Sequence, residues 1–178
     1  TFLHTLSLHD ALPICFMTTN AAGIQGQGID MAVALGAATV DMEQIQIHPT
    51  VQADTASLIT EGLRGDGAIL VNKNGERFID EVGTRDVVSA AEIAQPDSFS
   101  WLVVDQKMVD ASSVIQGYIN RGLMLSGDTY EALAEALGIP ADTFAATMNT
   151  WNGSNTITTV PIITQILFFI IYLPILHK

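Results

Sequence analysis

Apolar residues recur every three or four positions in four stretches of the chain and predict four helices. The first stretch runs from about Gly28 to Leu35, and Gly36 is a natural stop for it. The second runs from Val87 to Ala94, and the pattern predicts Asp86 as its N-cap. The third and fourth present apolar faces made of Tyr130, Leu133, Ala134 and Leu137, and of Phe144, Met148 and Trp151.

Short β-rich runs separate the predicted helices. Ala68 to Asn72 and Arg77 to Asp80 are joined through Asn74 and Gly75, a pair that supplies the positive φ angles of a tight hairpin turn. Trp101 to Val104 is a further buried strand. The chain therefore combines helices with strands, and it contains no internal repeat or low-complexity linker.

The two ends of the chain differ from the middle. The first 14 residues lack the basic region and cleavage site of a signal peptide, and Thr5 to Ile14 can be encoded by a common sequencing-library adapter. We therefore expect residues 1–15 to be a non-native leader. Residues 160–176 form a 17-residue apolar run, which is short for a membrane helix. A marginal membrane anchor and a frame error or join are the two interpretations of this run.

Charge and cysteine content exclude several classes of protein. The 178 residues include 19 acidic and 7 basic side chains, for a formal net charge of -12, which argues against binding to a nucleic acid. The single cysteine, Cys15, excludes an internal disulfide framework and a CxxC motif. The hairpin does not make a calcium loop, because Arg77 stands where such a loop requires glycine. No metal site is predicted.

A glycine-rich turn from Gly23 to Gly28 leads directly into the first predicted helix. Free backbone N–H groups at a helix N-terminus can receive a phosphate. An ordinary tight turn is the other interpretation, and the glycines by themselves favour it.

The remaining chemistry lies in the middle of the chain. His48, Glu61, Arg64 and Arg85 occur within 38 positions of a sequence that is otherwise short of bases. Arginines in or beside loops suit the bidentate recognition of a carboxylate. The alternative is that both arginines form surface salt bridges with nearby acidic residues. Spacing alone does not decide between these two interpretations.

The motifs of the middle region occupy residues 18–20, 26–32, 41–50, 58–65, 67–72, 75–81 and 84–86. In order and in spacing they resemble the soluble fumarate reductase and flavocytochrome c flavoprotein family. This family is part of the succinate dehydrogenase and fumarate reductase flavoprotein group. The resemblance covers about residues 16–152.

The resemblance implies an α+β fold, the capping (clamp) domain of a fumarate-reductase-type flavoprotein, preceded by the end of a Rossmann-like FAD-binding segment. Residues 16–42 would be the end of that segment, and residues 43–152 most of the cap. The implied cofactor is FAD, and the implied substrate is a small dicarboxylate or another enoate. The implied reaction is hydride transfer from reduced flavin to a C=C bond, with an arginine as proton donor.

The family's site residues carry over by motif. Arg85 is the implied proton donor, and Glu61 and Arg64 are the implied relay that recharges it. Because the pKa of arginine exceeds about 12, this role requires a carbanion-like centre as proton acceptor. The implied substrate-binding residues are His48, Leu58, Thr60 and Glu61. The implied cofactor-binding residues are Gly26, Gln27, Gly28 and Gln46.

Two positions depart from the family pattern. Gln27 stands where the family usually has aspartate, so one polar contact to FAD is altered. Leu58 stands where a fumarate-type enzyme often carries methionine, near the substrate. Related enoates, urocanate among them, are therefore candidate substrates beside fumarate.

The resemblance ends near Asn152. The family's GxGxxG fingerprint and its second substrate-binding histidine and arginine are not in this sequence. We therefore expect residues 153–178 to be a foreign or frame-shifted tail. The rival interpretation is a non-catalytic, membrane-tethered acidic module that retains the cap scaffold. The electron donor, including a haem or FMN domain, and a bacterial cytoplasmic or periplasmic location are left open.

Overall fold

The computed structural model describes residues 18–21, 23–42, 44, 46–53, 55–154 and 166–172. The helices are α1 (Gln27–Ala34), α2 (Gly62–Gly65), α3 (Arg85–Ile93), α4 (Gln106–Ala111), α5 (Ser113–Asn120), α6 (Tyr130–Leu137) and α7 (Ala141–Ser154), with a 3-10 turn at Pro96–Ser98. The strands are β1 (Ile69–Val71), β2 (Phe99–Val104), β3 (Met124–Gly127) and β4 (Ile166–Tyr172). The α+β class predicted from the sequence is confirmed.

The four strands form one antiparallel sheet in the order β1-β2-β4-β3. All six residues of β2 are buried, which means that both faces of the sheet are covered. Successive residues of a strand point to opposite faces. The sheet therefore separates two hydrophobic clusters, and β1 and β2 contribute to both.

Helices α2 to α5 cover one face of the sheet, and α6 and α7 cover the other. The first cluster contains Leu63, Leu70, Val88, Leu102, Val104, Val109, Ile115 and Tyr118. The second contains Ile69, Val71, Trp101, Val103, Leu133, Leu137, Phe144 and Met148. The predicted core positions of the last two helices are therefore correct, and they belong to the second cluster.

Periodicity located most of the longer elements. The helix predicted over 28–35 is α1, and the one predicted over 87–94 is α3. The N-cap prediction was wrong, however, because Thr84 is the extended residue before α3 and Arg85 is its first helical residue. The Val88 N–H donates to the Thr84 carbonyl at 3.0 Å, so the helix begins earlier than Asp86 allows. Arg85 is consequently held by helical backbone.

The predicted hairpin forms only in part. Gly75 adopts a φ of 81°, as the turn requires, and the Asn72 N–H donates to the Glu76 carbonyl at 2.9 Å. Beyond the turn the pairing shrinks to one isolated bridge, between Val71 and Arg77. The Glu81 carboxylate accepts the Leu70 N–H at 2.8 Å, an N–H that a second strand would otherwise use. A side chain thus replaces the predicted strand.

The apolar run at residues 160–176 contributes a strand where it is described. Residues 166–172 pair with β2 and β3. The rest of the run and the predicted leader at residues 1–15 lie outside the described residues. No helix among the described residues is long and apolar enough to cross a membrane.

At Gly127, the backbone of β3 packs directly against the backbone of α6. A Cβ atom placed there would lie 2.5 Å from the backbone nitrogen of Leu133 and 2.7 Å from its Cα. Backbone cannot move aside as a side chain can, so we expect Gly127→Ala to lower the free energy of unfolding by roughly 1–3 kcal/mol. Urea denaturation followed by circular dichroism measures the change.

Gly117, inside α5, is the matched control. In the part of the chain that the structure describes, nothing outside the helix's own backbone lies within 4 Å of a Cβ at this position. Alanine is also the better helix former by about 0.5–1 kcal/mol. Gly117→Ala should therefore raise the free energy of unfolding. Equal effects of the two substitutions would contradict the packing described here.

Candidate active site

The short segments that precede and follow residues 52–57 run antiparallel to each other, and they bring the candidate residues together. The Ile59 N–H donates to the Thr50 carbonyl at 3.1 Å, and Thr50 Oγ1 donates to the Ile59 carbonyl at 2.8 Å. Thr50 is fully buried, so this pairing is shielded from water. This pairing places His48, which precedes the first segment, beside Glu61, which follows the second segment.

Glu61 and Arg85 form a two-pronged ion pair. Arg85 Nε lies 2.7 and 2.9 Å from the two carboxylate oxygens, and Arg85 Nη2 lies 2.7 Å from Oε2. The hydrogen bond from Arg85 is the main cause that lowers the pKa of Glu61, and the same bond raises the pKa of Arg85. Both groups are therefore charged at neutral pH.

The Arg85 guanidinium is fixed and still accessible. Its Nη1 donates to the side-chain carbonyl of Gln46, a residue 39 positions earlier in the chain. The Arg85 side chain nevertheless remains 41% exposed. A guanidinium held at two edges, with surface left open, can bind the planar carboxylate of a ligand.

Arg64 is the buried partner of Glu61. It lies three residues after Glu61 across the short helix α2, and its Nη2 is 3.3 Å from Glu61 Oε1. Its Nη1 donates to the backbone carbonyl of Glu81 and, at 3.4 Å, to that of Gly83. Only 7% of Arg64 is exposed. Arg64 is thus a buried cation and not a surface one.

His48 completes the cluster. The Thr50 N–H donates to His48 Nδ1 at 3.2 Å, so the neutral imidazole carries its proton on Nε2. That nitrogen faces Glu61 Oε1 at 3.7 Å. Burial is the main cause that lowers the pKa of His48, while Glu61 opposes it and Arg85 adds to it. His48 is therefore neutral at pH 7 and offers an N–H donor.

Leu58 and Thr60, the two other predicted substrate-binding residues, differ in their exposure and in their hydrogen bonds. Leu58 is 50% exposed and pairs with Val51 in an isolated antiparallel bridge. The Thr60 N–H donates to the Tyr118 hydroxyl at 3.0 Å, and Thr60 Oγ1 accepts the Gly62 N–H at 3.3 Å. Thr60 thus anchors the start of α2 and ties it to α5.

Within the described part of the chain, no hydrogen bond joins the predicted cofactor turn to the cluster. Gly26 has a φ of 91° and precedes α1. The Gln27 side chain donates to the Gly23 carbonyl at 3.2 Å and accepts the Gln25 N–H at 3.0 Å. Among the described residues, apart from the chain neighbours and the helix's own backbone, no atom lies within 4 Å of a Cβ placed at Gly26 or Gly28. The backbone of the turn is open, and Gln27 shapes the turn itself.

Three residues that sequence reasoning did not assign support the site. Glu81 is buried and supplies a carbonyl to Arg64, Tyr118 receives the Thr60 N–H, and Glu92 is a buried acid on α3. Glu92 lies seven positions after Arg85, which places the two on one helix face. An acid on the apolar face of the second predicted helix was the signal that could have found it.

Comparison with known proteins places the chain among flavoproteins. The FAD binding domain family model matches residues 5–158, and it confirms FAD as the predicted cofactor. The chain is 45% identical over 139 residues to an NADH:fumarate oxidoreductase of Klebsiella pneumoniae (strain 342), a match over 78% of this chain and 15% of that protein. These findings confirm the family resemblance found in the sequence.

Two further relatives cover a similar part of the chain. The chain is 38% identical to a fumarate reductase (cytochrome) of Shewanella frigidimarina, over 77% of this chain and 24% of that protein. It is 32% identical to a urocanate reductase of Eggerthella lenta, with the same two coverages, 77% and 24%. The chain thus spans about a quarter or less of the length of these relatives.

A solved structure supports the fold. The solution structure of a fumarate reductase flavoprotein subunit from Lactobacillus plantarum matches with a TM-score of 0.50 at 20% identity. The match covers 74% of this chain and 98% of that one. At this identity the likeness concerns the fold alone.

The electrostatic coupling between His48 and Glu61 can be measured directly. The Glu61 charge raises the pKa of His48 against the effect of burial. Glu61→Gln removes that charge, so we expect the pKa of His48 to fall further. Titration of the His48 ring protons by NMR measures the shift. Asp66→Asn, an exposed acid nearby, should leave the titration unchanged, and an upward shift in Glu61→Gln would contradict the geometry.

Proposed function

The chain belongs to the FAD binding domain family, and we propose that it is the capping part of an FAD-dependent reductase that acts on the C=C bond of an enoate. The observation that carries this proposal is the half-exposed guanidinium of Arg85, fixed by Glu61 and Gln46 at the start of α3. An enoate carries a carboxylate beside its double bond. A fixed, open guanidinium is the group that such a substrate requires.

The residues present fit the proposed cofactor at one point. The turn before α1 exposes open backbone at Gly26 and Gly28, where N–H groups of the first helical turn can meet a phosphate. We propose that this turn and Gln46 contact FAD, which when bound supplies the hydride. Gln27 is occupied within the turn, so its contribution is to shape the loop.

Arg85 is the proposed proton donor, and its neighbours explain how an arginine can serve. Its pKa is raised by Glu61, so it gives up a proton only to a strongly basic, carbanion-like carbon. Once Arg85 is neutral, the main cause that lowers the pKa of Glu61 is gone. Glu61 then binds a proton more readily and can return one to Arg85 over their contact of 2.7 Å.

Arg64 has the complementary role in this proposal. As a buried cation 3.3 Å from Glu61, it keeps the carboxylate in place while Arg85 changes charge. Its backbone contacts to Glu81 and Gly83 prevent it from following the substrate. We propose that proton supply from solvent passes along Arg64, Glu61 and Arg85.

His48 and Thr60 are the proposed contacts to the substrate carboxylate. Neutral His48 presents an Nε2–H toward the cluster, and a neutral donor can bind an anion without adding a titrating charge. Leu58 is half-exposed and would face the variable part of the substrate. Fumarate and urocanate are therefore the first two substrates to compare, each with a chemical and an NADH-linked electron donor.

Replacement of Arg85 tests the proton-donor role. In the FAD-loaded full-length protein, Arg85→Ala should leave the flavin bound and reducible while kcat falls by at least about 10²–10⁴, the usual contribution of general acid catalysis. Stopped-flow reoxidation of the flavin by substrate measures the step. Lys107→Ala, an exposed cation on α4, is the control and should retain wild-type turnover.

The outcomes separate the two classes of function. Near wild-type turnover in Arg85→Ala would refute the assignment of Arg85. A wild-type protein that binds FAD and reduces no enoate would instead favour the non-catalytic module.

Replacement of Glu61 tests the relay. Glu61→Gln keeps the shape of the side chain but cannot accept a proton, so turnover should fall by about 10-fold or more and lose its dependence on pH in the acid range. The pH profile of kcat and its solvent isotope effect measure the change. Glu135→Gln, an exposed acid on α6, should keep the wild-type profile. If Glu61→Gln does so too, Glu61 is a structural ion-pair partner only.

A further inference from the structure

A second acidic side chain lies behind the candidate site, and no step proposed so far uses it. Glu92 is on the buried face of α3, two turns after Arg85, and only 1% of it is exposed. Ser89 lies between them on that face, and its hydroxyl reaches the Ile47 carbonyl at 3.5 Å. The face of α3 that begins at the proposed proton donor thus ends at a buried carboxyl group.

Only one of the two carboxyl oxygens of Glu92 has a hydrogen-bond partner among the described residues. Ser100 Oγ on β2 donates to Glu92 Oε1 at 2.6 Å. Glu92 Oε2 is buried and has no hydrogen-bond partner among the described residues. Within the same part of the chain, the buried Nε of Arg64 also lacks a partner. One unsatisfied atom is an acceptor when ionised, and the other is an obligatory donor.

These two unpartnered groups interact electrostatically. Burial raises the pKa of Glu92 to about 8, while the Ser100 hydrogen bond and the charge of Arg64 both act in the opposite direction. Glu92 is therefore mostly protonated at pH 7. The protonated carboxyl carries its hydrogen on Oε2, because Oε1 already accepts from Ser100. The neutral acid then offers Arg64 no acceptor at Oε2, and among the described residues Glu92 Oε2 and Arg64 Nε are both without a hydrogen-bond partner.

We propose that Glu92 is a positioning residue for Arg64: the neutral acid leaves the guanidinium on Glu61, and the ionised carboxylate draws Arg64 Nε toward Oε2. The inference rests on the proposed function only for its effect on turnover. Ionisation of Glu92 creates the acceptor that Arg64 Nε lacks. The contact of Arg64 with Glu61, already long at 3.3 Å, is the one that this movement weakens.

The other charged groups near this arrangement already have partners. Asp97, in the 3-10 turn that packs against α3, is paired with Lys73 at 2.5 Å. The Glu81 carboxylate is bound by Arg77 and by the Leu70 N–H. Among the described residues, Arg64 is therefore the cation whose charge acts on Glu92.

NMR on the full 178-residue chain tests the inference without any catalytic assay. The Arg64 Nε–Hε signal should shift with a midpoint near pH 8 in the wild type. Glu92→Gln keeps the shape of the neutral acid and removes its titration, so the shift should vanish. An Arg64 signal that does not change with pH, or one that changes equally in Glu92→Gln, would overturn the proposal.

Ser100→Ala provides a second variant that leaves Glu92 in place. It removes a hydrogen bond that lowers the pKa of Glu92, so the midpoint of the Arg64 shift should move to higher pH. An unchanged midpoint would show that the titrating group is not Glu92. This comparison decides the matter even if Glu92→Gln does not fold.

A measurement on the FAD-loaded full-length protein links the inference to catalysis. Turnover should decline on the alkaline side with the same midpoint in the wild type, and it should stay level in Glu92→Gln. A protein that shows the NMR transition but reduces no enoate would refute the proposed function and leave the Glu92 inference standing. A reductase whose alkaline limb is the same in both forms would refute the inference alone.

Discussion

The candidate site depends on one carboxylate that is shared by three nitrogen-bearing side chains. Glu61 receives the fork of Arg85, one nitrogen of Arg64 and, at 3.7 Å, the imidazole of His48. A buried cation without its counterion is far more costly than an exposed one. Because Arg64 is nearly buried and Arg85 is not, the loss of Glu61 would leave Arg64 under-compensated while Arg85 could turn to solvent. The two arginines are thus unequal, and Arg85 is the one whose guanidinium remains open to solvent.

A second carboxylate, which unlike Glu61 is buried, joins this cluster to the fold. Glu81 accepts the Leu70 N–H of β1 and the fork of Arg77, while its own backbone carbonyl accepts from Arg64. Arg77 in turn stacks on Trp151 of α7, with a distance of 4.5 Å to the ring centroid. These contacts connect Trp151 of α7, through Arg77 and Glu81, to Arg64. Rigid packing on both faces of the sheet therefore positions a site that is itself made of short segments.

Periodicity located α1, α3, α6, α7, β1 and β2. Among the elements it missed are α4 and α5, which follow one another with the extended residue Ser112 between them, so that the helical repeat is interrupted. Their signals were the caps: Asp105 accepts the Met108 N–H, and Ser112 accepts the Ile115 N–H. Pattern also cannot show what covers a face. The apolar residues of α1 repeat as predicted, and yet α1 contains no buried residue among those described.

Motif resemblance named the candidate site residues but could not show their contacts. The spacing of Glu61 and Arg64 places them on one turn of helix, and this pair could be anticipated from the sequence alone. The contact between Gln46 and Arg85 spans 39 positions and depends on where α3 begins. Thr84 is the N-cap that sets this start. A prediction that places the N-cap at Asp86 therefore cannot show how Arg85 is held.

The charge of the cluster differs from that of the chain around it. The whole chain carries a formal net charge of -12, which repels anions at long range. Within the cluster, His48 is neutral, and Arg64 and Arg85 together outweigh Glu61 by one positive charge. Salt screens the distant acids over about 10 Å but hardly affects a guanidinium in contact with a carboxylate. We therefore expect the proposed anionic substrate to be held by short-range contacts such as that with Arg85, and not by attraction to the protein surface as a whole.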